Sequence, residues 1–129
     1  MAKQFTLGKN ERLKSRKSIE QLFSEGKKIV AAPYRVLYLF TKTGKEHSLL
    51  FGAGVSAKNF KKAIDRNRIK RLTREAYRLQ KINLQEKIKA NNIQLLVFFI
   101  YAGKELPGYN EVYNKTGAIL KKLEKIIEQ

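Results

Sequence analysis

The segment IQLLVFFIY, residues 93–101, is the strongest constraint on the fold, because apolar side chains occupy both faces of this segment when it is extended. A strand with this pattern is covered by other elements on each side, so the segment predicts a central strand of a sheet. The apolar run is far too short to span a bilayer as a helix. The chain must therefore supply further strands and the helices that pack on them.

Two other segments predict strands. Residues 34–42 alternate between two faces, and residues 47–55 return after the turn TGKE at 43–46. This arrangement predicts a hairpin in which the two strands are neighbours. Gly52 and Gly54 fall on one face of the second strand, where their missing side chains predict the close approach of another backbone or of a helix.

Four segments have patterns typical of helices or turns. They are residues 16–25, 61–79, 84–90 (a turn or a helix) and 110–127. The first of them has Ser15 or Ser18 as its N-cap, and Gly26 is placed to end it. Together with the strands, these segments predict a single α+β domain over residues 1–129, with helices packed on a small sheet.

The helix around RNRIKRLTREAYR, residues 66–78, is unusual because its cations are sorted onto one face. At about 100° per residue, one arc of roughly 80° is apolar and is expected to dock on the sheet. That arc contains Ile69, Leu72, Ala76 and Leu79. Another side has a row at i, i+4 spacing, with Asn67 and Arg71 beside it, while Arg68 and Glu75 lie between the two faces. The row consists of Arg66, Lys70, Arg74 and Arg78.

Like charges at this spacing repel one another, and solvated helix faces usually mix the two signs. The formal net charge of the chain is +17, from 28 Lys and Arg against 11 Asp and Glu. Such an excess favours a polyanionic partner. A membrane-surface helix would need a broad apolar face, which this chain lacks. The face therefore predicts binding to nucleic acid, with folded RNA favoured and DNA left open on charge alone.

Composition also limits the cellular compartment in which we expect the protein and the kinds of catalytic or metal site that it can form. The chain has no cysteine, and its first residues lack the apolar run of a secretory signal, so we expect a cytoplasmic protein with no membrane segment. His47 is the single histidine and Asp65 the single aspartate. Neither belongs to a pattern typical of a catalytic or metal site, so we expect no catalytic and no metal-ligating residue in this chain.

The segment KKAIDRNRIKRLTREAYR resembles the arginine-rich segment of the bacterial ribonuclease P protein subunit. The block ERLKSRKSIEQLFSEGKK is similar to the opening of that family, and GVSAKNFKKAIDRN to the run that leads into its basic helix. The resemblance covers residues 5 to about 104. A ribosomal or ribosome-assembly protein, a protein-only nuclease and a DNA-binding module remain the alternatives on charge and size.

The resemblance implies a fold like domain 2 of ribosomal protein S5, with a four-stranded sheet, three helices and a left-handed βαβ crossover that carries the basic helix. The additional strand would lie near residues 28–32. The resemblance also implies a holoenzyme that removes the 5′ leader of precursor tRNA, with the catalytic centre and most of its Mg²⁺ in an RNA subunit. The expected partners are that RNA subunit and precursor tRNA, and no protein partner is required.

The family's binding residues map onto two groups of positions in this chain. The resemblance implies contact with the RNA subunit for Arg66, Asn67, Arg68, Lys70, Arg71 and Arg74, and Arg78 continues the row. It implies contact with the single-stranded leader, in a cleft between the first helix and the sheet, for Ile19, Phe23, Tyr38, Lys58, Lys62 and Lys104. Ile19 stands where relatives often carry phenylalanine, and Ala57 replaces a frequent basic residue.

Overall fold

A computed structural model describes residues 12–13, 15–41 and 48–128. These residues form four helices and four strands. In chain order they are α1 (Arg16–Glu25), β1 (Lys27–Ala31), β2 (Tyr34–Thr41), β3 (Ser48–Val55), α2 (Ala63–Gln80), α3 (Ile82–Asn91), β4 (Gln94–Tyr101) and α4 (Tyr109–Glu128). The α+β class is confirmed. The number of helices differs from the three implied by the family resemblance, since α3 is a separate helix after Lys81.

The strand order β1-β2-β4-β3 contradicts the predicted hairpin of residues 34–42 and 47–55. β4 lies between β2 and β3, antiparallel to β2 and parallel to β3. Instead, β2 forms a hairpin with β1, the additional strand that the resemblance placed near residues 28–32. The parallel pair requires a crossover connection, which α2 and α3 provide. The hand of this crossover stays a prediction from the resemblance.

The central position of β4 explains its unbroken apolar sequence, because both faces of the strand are packed. On one face, which we call the helix-packed face, Leu95, Val97 and Phe99 are buried in a core shared with α2, α3 and α4. On the opposite face, which we call the α1 face, Leu96 is buried with Leu22 of α1. The prediction of a central strand covered on each side is confirmed.

Local sequence sets the two ends of α1. The hydroxyl of Ser15 accepts a hydrogen bond from the backbone N–H of Ser18, so Ser15 is the N-cap. Gly26 ends the helix by donating its N–H to the carbonyl of Leu22. A Cβ at Gly26 would lie 2.3 Å from that carbonyl oxygen, which explains why glycine is required at this position.

Tyr34 anchors α2 to the sheet through its hydroxyl group. The Thr73 hydroxyl donates to the carbonyl of Ile69, so Tyr34 donates to Thr73 over 2.7 Å. Burial raises the pKa of Tyr34 from 10.0 to about 12. The neutral phenol is therefore favoured in the folded state.

This environment predicts a specific stability difference between the wild-type protein and Tyr34→Phe. At pH 7 the variant is expected to be about 1 kcal/mol less stable, because it lacks the hydrogen bond. The free energy of unfolding that the raised pKa contributes is fully present below pH 10. It is lost as the pH rises through 12, because the tyrosine of the unfolded chain ionises first. That loss is worth about 2–3 kcal/mol for two pKa units. Urea titrations at pH 7, 10 and 12 would measure it, and a constant difference between the two proteins would contradict the prediction.

Candidate nucleic-acid interface

The orientation of α2 on the sheet differs from the predicted arc. The buried residues of the helix are Ile69, Thr73, Ala76 and Tyr77, whereas Leu72 is half-buried and Leu79 is exposed. Tyr77 stacks on Phe51 of β3 with ring centroids 3.9 Å apart. The packed stripe is therefore rotated toward residues that a hydropathy wheel counts as polar. The solvent face is rotated with it, and it is centred near Arg71 rather than on the predicted i, i+4 row.

Arg66, the first residue of the predicted row, has protein partners of its own, and its contact with RNA stays a prediction. Its Nη1 donates hydrogen bonds to the carbonyl oxygens of Phe60 and Lys61, both at 2.8 Å. The rotation of α2 places this guanidinium against the loop that precedes the helix. Arg66 therefore fixes the conformation of that loop, and its side chain is only partly available to a phosphate.

Arg78, at the other end of the row, forms an ion pair with the Glu75 carboxylate through two of its nitrogens. The remaining predicted positions of α2 lie between these two ends. Asn67, Arg68, Arg71 and Arg74 are exposed, and Lys70 is half-buried. In the described part of the chain, no carboxylate lies within ion-pair distance of Arg68, Arg71 or Arg74. We call these three arginines with Lys70 and Asn67 the basic face.

The α1 face of the sheet forms a second candidate surface. Leu22 is fully buried there with Leu37 and Leu96 and fixes the position of α1 on the sheet. The next residue, Phe23, is 52% exposed and meets the ring of Phe98 edge-on, with centroids 5.7 Å apart. An aromatic side chain is thus presented at the border between α1 and the open part of the sheet.

Gly52 and Gly54 explain how β4 contributes to this surface. A Cβ at either glycine would lie 2.6–2.8 Å from ring atoms of Phe98. The missing side chains therefore accommodate an aromatic ring from the neighbouring strand, and not a backbone or a helix as the sequence suggested. Beyond Phe98, Ile100 is also half-buried on this face. We call Phe23, Phe98 and Ile100 the open strip.

Tyr38 is the clear error among the predicted leader-binding residues. It lies on the helix-packed face, is 7% exposed and contacts Phe40 at 5.5 Å between ring centroids. Successive residues of a strand point to opposite faces, so the α1 face at this point is occupied by Leu37, which pairs with Phe98. Tyr38 cannot reach a ligand between α1 and the sheet. Ile19, by contrast, does pack beside Leu22 on the α1 face.

Lys58, Lys62 and Lys104 are all exposed, in loops that follow β3 and β4. The carboxyl ends of these parallel strands meet at one edge of the sheet. The Asn59 amide joins the two loops by donating to the carbonyls of Ala102 and Gly103, at 3.1 and 3.2 Å. The structure therefore brings Lys58 and Lys104 to the end of the sheet toward which the open strip runs.

Phe98 and Ile100 were missed as candidates for ligand contact. Two signals pointed to them: β4 is apolar on both faces, and Gly52 and Gly54 lie on the adjacent strand in parallel register with Phe98 and Ile100. Neither signal was interpretable without the strand order, because the predicted hairpin placed β3 beside β2.

The described residues contain no group of three His, Asp or Glu side chains that could hold a metal ion. His47 lies outside the described residues. None of the described helices is both long enough and apolar enough to cross a bilayer.

Comparison with known sequences finds one family. Residues 7–124 match the sequence profile of the Ribonuclease P family. The ribonuclease P protein component of Porphyromonas gingivalis is 40% identical over 111 residues, which cover 84% of this chain and 79% of the relative. That of Syntrophus aciditrophicus is 32% identical over 130 residues, which cover 98% of both chains.

Solved structures agree with the sequence comparison. The RNase P protein of Staphylococcus aureus superimposes with a TM-score of 0.65 over 89% of this chain and 96% of its own, at 20% identity, and this similarity concerns the fold alone. The RNase P protein of Thermotoga maritima superimposes with a TM-score of 0.59 over 87% of this chain and 96% of its own, at 28% identity.

Proposed function

Because the chain belongs to the ribonuclease P protein family, we propose specific roles in ribonuclease P for the two surfaces described above. As a protein component of ribonuclease P, it associates with the RNA subunit and serves in the maturation of tRNA 5′ ends.

We assign the basic face of α2 to the RNA subunit. The observation that carries this assignment is the exposure of Arg68, Arg71 and Arg74 on one helix face without carboxylate partners in the described residues. Repulsion among the three guanidinium groups is relieved when phosphates approach and condensed counterions are released. Arginine also forms forked hydrogen bonds with phosphate oxygens, which fixes the orientation of the helix on its partner.

We assign the open strip to the single-stranded leader of precursor tRNA. Phe23 and Phe98 offer ring surface on which unpaired bases can stack, and stacking tolerates any sequence because every base has a π-face. Lys58 and Lys104 lie in loops at the end of the strip, where they can contact the leader backbone. Lys62 is exposed immediately before α2, between the two proposed surfaces in the chain.

We further propose that bond cleavage takes place in the RNA subunit, with Mg²⁺ held mainly by RNA. Since the described residues contain no cluster of three metal-ligating side chains, no step is assigned to a metal ion held by them. The protein contributes by neutralising phosphates that Mg²⁺ would otherwise have to screen and by holding the leader. We propose that this occurs in the cytoplasm and requires no other protein.

Reconstitution tests this proposal. The RNA subunit, transcribed from the genome that encodes this chain, is expected to cleave precursor tRNA faster with the protein than without it when Mg²⁺ is low. The advantage should diminish at high Mg²⁺, because the ion then screens the RNA phosphates by itself. RNA-free protein serves as the control. Equal rates with and without protein at every Mg²⁺ concentration would refute the proposed role, and cleavage by RNA-free protein would refute the assignment of catalysis to RNA.

A further inference from the structure

Ile64 is an anomaly on the surface of α2. Its side chain is 74% exposed, although isoleucine is usually buried. At about 100° per residue, Ile64 lies between Arg68 and Arg71, so it is within the solvent face of the helix and not at the border of the core. An apolar side chain among cations gains nothing from the phosphate contacts that explain its neighbours.

Ile64 also borders a recess in the protein surface. The recess has a volume of about 430 Å³ and is lined by Ile64, Asp65, Arg68, Arg71 and Leu72. We call it the Ile64 recess. Leu72 is half-buried against the main core, so this part of the lining is supported by the packed interior. All five lining residues belong to α2, so the recess encloses a ligand on one side only.

The side of the recess formed by Ile64, Asp65 and Leu72 does not suit a phosphate group, whereas Arg68 and Arg71 can hold the adjoining RNA backbone. The Asp65 carboxylate forms part of the lining and would repel a phosphate oxygen at that spot. Ile64 and Leu72 offer no hydrogen-bond donor. Glu75, on the same side of the helix beyond Leu72, is held by Arg78 and is not part of the lining. The preferred occupant of that side therefore has apolar surface, carries no negative charge of its own and can donate a hydrogen bond.

A nucleobase has these properties. Its face packs on aliphatic side chains or on the plane of a guanidinium group, and its amino edge can donate to a carboxylate. Arg68 and Arg71 line the recess and belong to the basic face, so a base in the recess would be connected to a backbone that those arginines neutralise. In an A-form helix the bases are stacked and paired, so the base must come from an unpaired nucleotide.

We propose that the Ile64 recess receives one unpaired base of the RNA subunit when α2 docks. This inference rests on the proposed function of the basic face. The recess adds a contact that depends on the structure of the RNA, whereas the arginine contacts depend on its charge. The recess makes docking selective for an RNA region with a looped-out nucleotide beside a run of phosphates.

The test compares Ile64→Ala with Val30→Ala in binding to the RNA subunit without precursor tRNA. Val30 is a matched control, because it is equally exposed at 74% but lies on β1, outside α2. Ile64→Ala is expected to weaken binding about tenfold through lost apolar contact, with an unchanged dependence of affinity on salt. Val30→Ala is expected to bind like the wild type. Chemical probing of base edges should show one unpaired base that wild-type protein protects and Ile64→Ala leaves reactive.

The possible results distinguish a failure of the recess proposal from a failure of the proposed function of the basic face. If wild-type protein fails to bind the RNA subunit, the proposed function of the basic face is wrong. If wild-type protein binds and Ile64→Ala binds equally well with the same protected bases, the recess proposal alone is overturned. The recess proposal is likewise overturned if Ile64→Ala reduces the salt dependence, because the residue would then act by positioning the arginines.

Discussion

Replacing Arg68, Arg71 and Arg74 together by alanine is expected to weaken binding of the RNA subunit by about 100- to 1,000-fold at 0.1 M salt. Each guanidinium that neutralises a phosphate releases condensed counterions, and this contribution is lost with the side chain. The slope of log affinity against log salt should become shallower by about two to three units. Filter binding or fluorescence titration between 50 and 300 mM salt would measure both quantities.

The matched control changes the same amount of charge on another helix. Lys115, Lys122 and Lys125 are exposed on α4, and their joint replacement by alanine removes three positive charges as well. This control should lower affinity only slightly, since it acts through the overall field of the protein. If both triple variants lose the same affinity, the net charge of the chain and not the basic face drives binding.

The structure also changes the slope of log affinity against log salt that we expect for the wild-type protein. Six phosphate contacts along α2 would give a slope of about −4 to −5. Arg66 already donates to two backbone carbonyls, and Arg78 is paired with Glu75. The four remaining cations predict a slope of about −3 to −4. Arg66→Ala is a poor test of RNA contact, because the loop that contains Phe60 and Lys61 loses its anchor at the same time.

Phe23→Ala is expected to weaken binding of precursor tRNA to the holoenzyme about tenfold, because stacking of one base contributes roughly 1–3 kcal/mol. Mature tRNA, which has no leader, should bind the variant and the wild-type holoenzyme equally. The substitution leaves the buried Leu22 in place, so α1 should keep its position on the sheet. Equilibrium binding of substrates with leaders of increasing length would measure the effect.

Tyr109→Ala provides the aromatic control for this experiment. Tyr109 is exposed at the start of α4 and contacts Tyr113, outside the open strip. Its loss should not distinguish leader-bearing from mature tRNA. A Phe23→Ala holoenzyme that loses affinity for both substrates equally would show that Phe23 supports the fold or the RNA subunit and does not hold the leader.

Several features were predictable from short-range sequence patterns. Ser15 and Gly26 delimit α1 because capping depends on backbone groups within one helical turn. The basic helix was predictable because charge and helical spacing are both local. The family was predictable because the arginine-rich segment and the opening block occur in the expected order, and the profile match over residues 7–124 confirms it.

The errors concern features set by distant parts of the chain. The hairpin prediction failed because nothing local to residues 34–55 shows that β4 inserts between β2 and β3. Tyr38 was misplaced because a strand has a period of two, so a shift of one residue exchanges the faces and puts Leu37 on the α1 side. The partners of Arg66 were not predictable from the helix alone, because they are carbonyls of the preceding loop.

Charge and hydropathy along the chain were enough to predict a helix with its cations on one side, and to place a strand that is apolar on both faces at the centre of a sheet. Which cations face solvent, and which aromatic ring lies open beside α1, depends on contacts between distant elements. A helical wheel gives the angles between side chains but not the rotation of the helix on its support. Packing of Thr73 and Tyr77 against Tyr34 and Phe51 fixes that rotation.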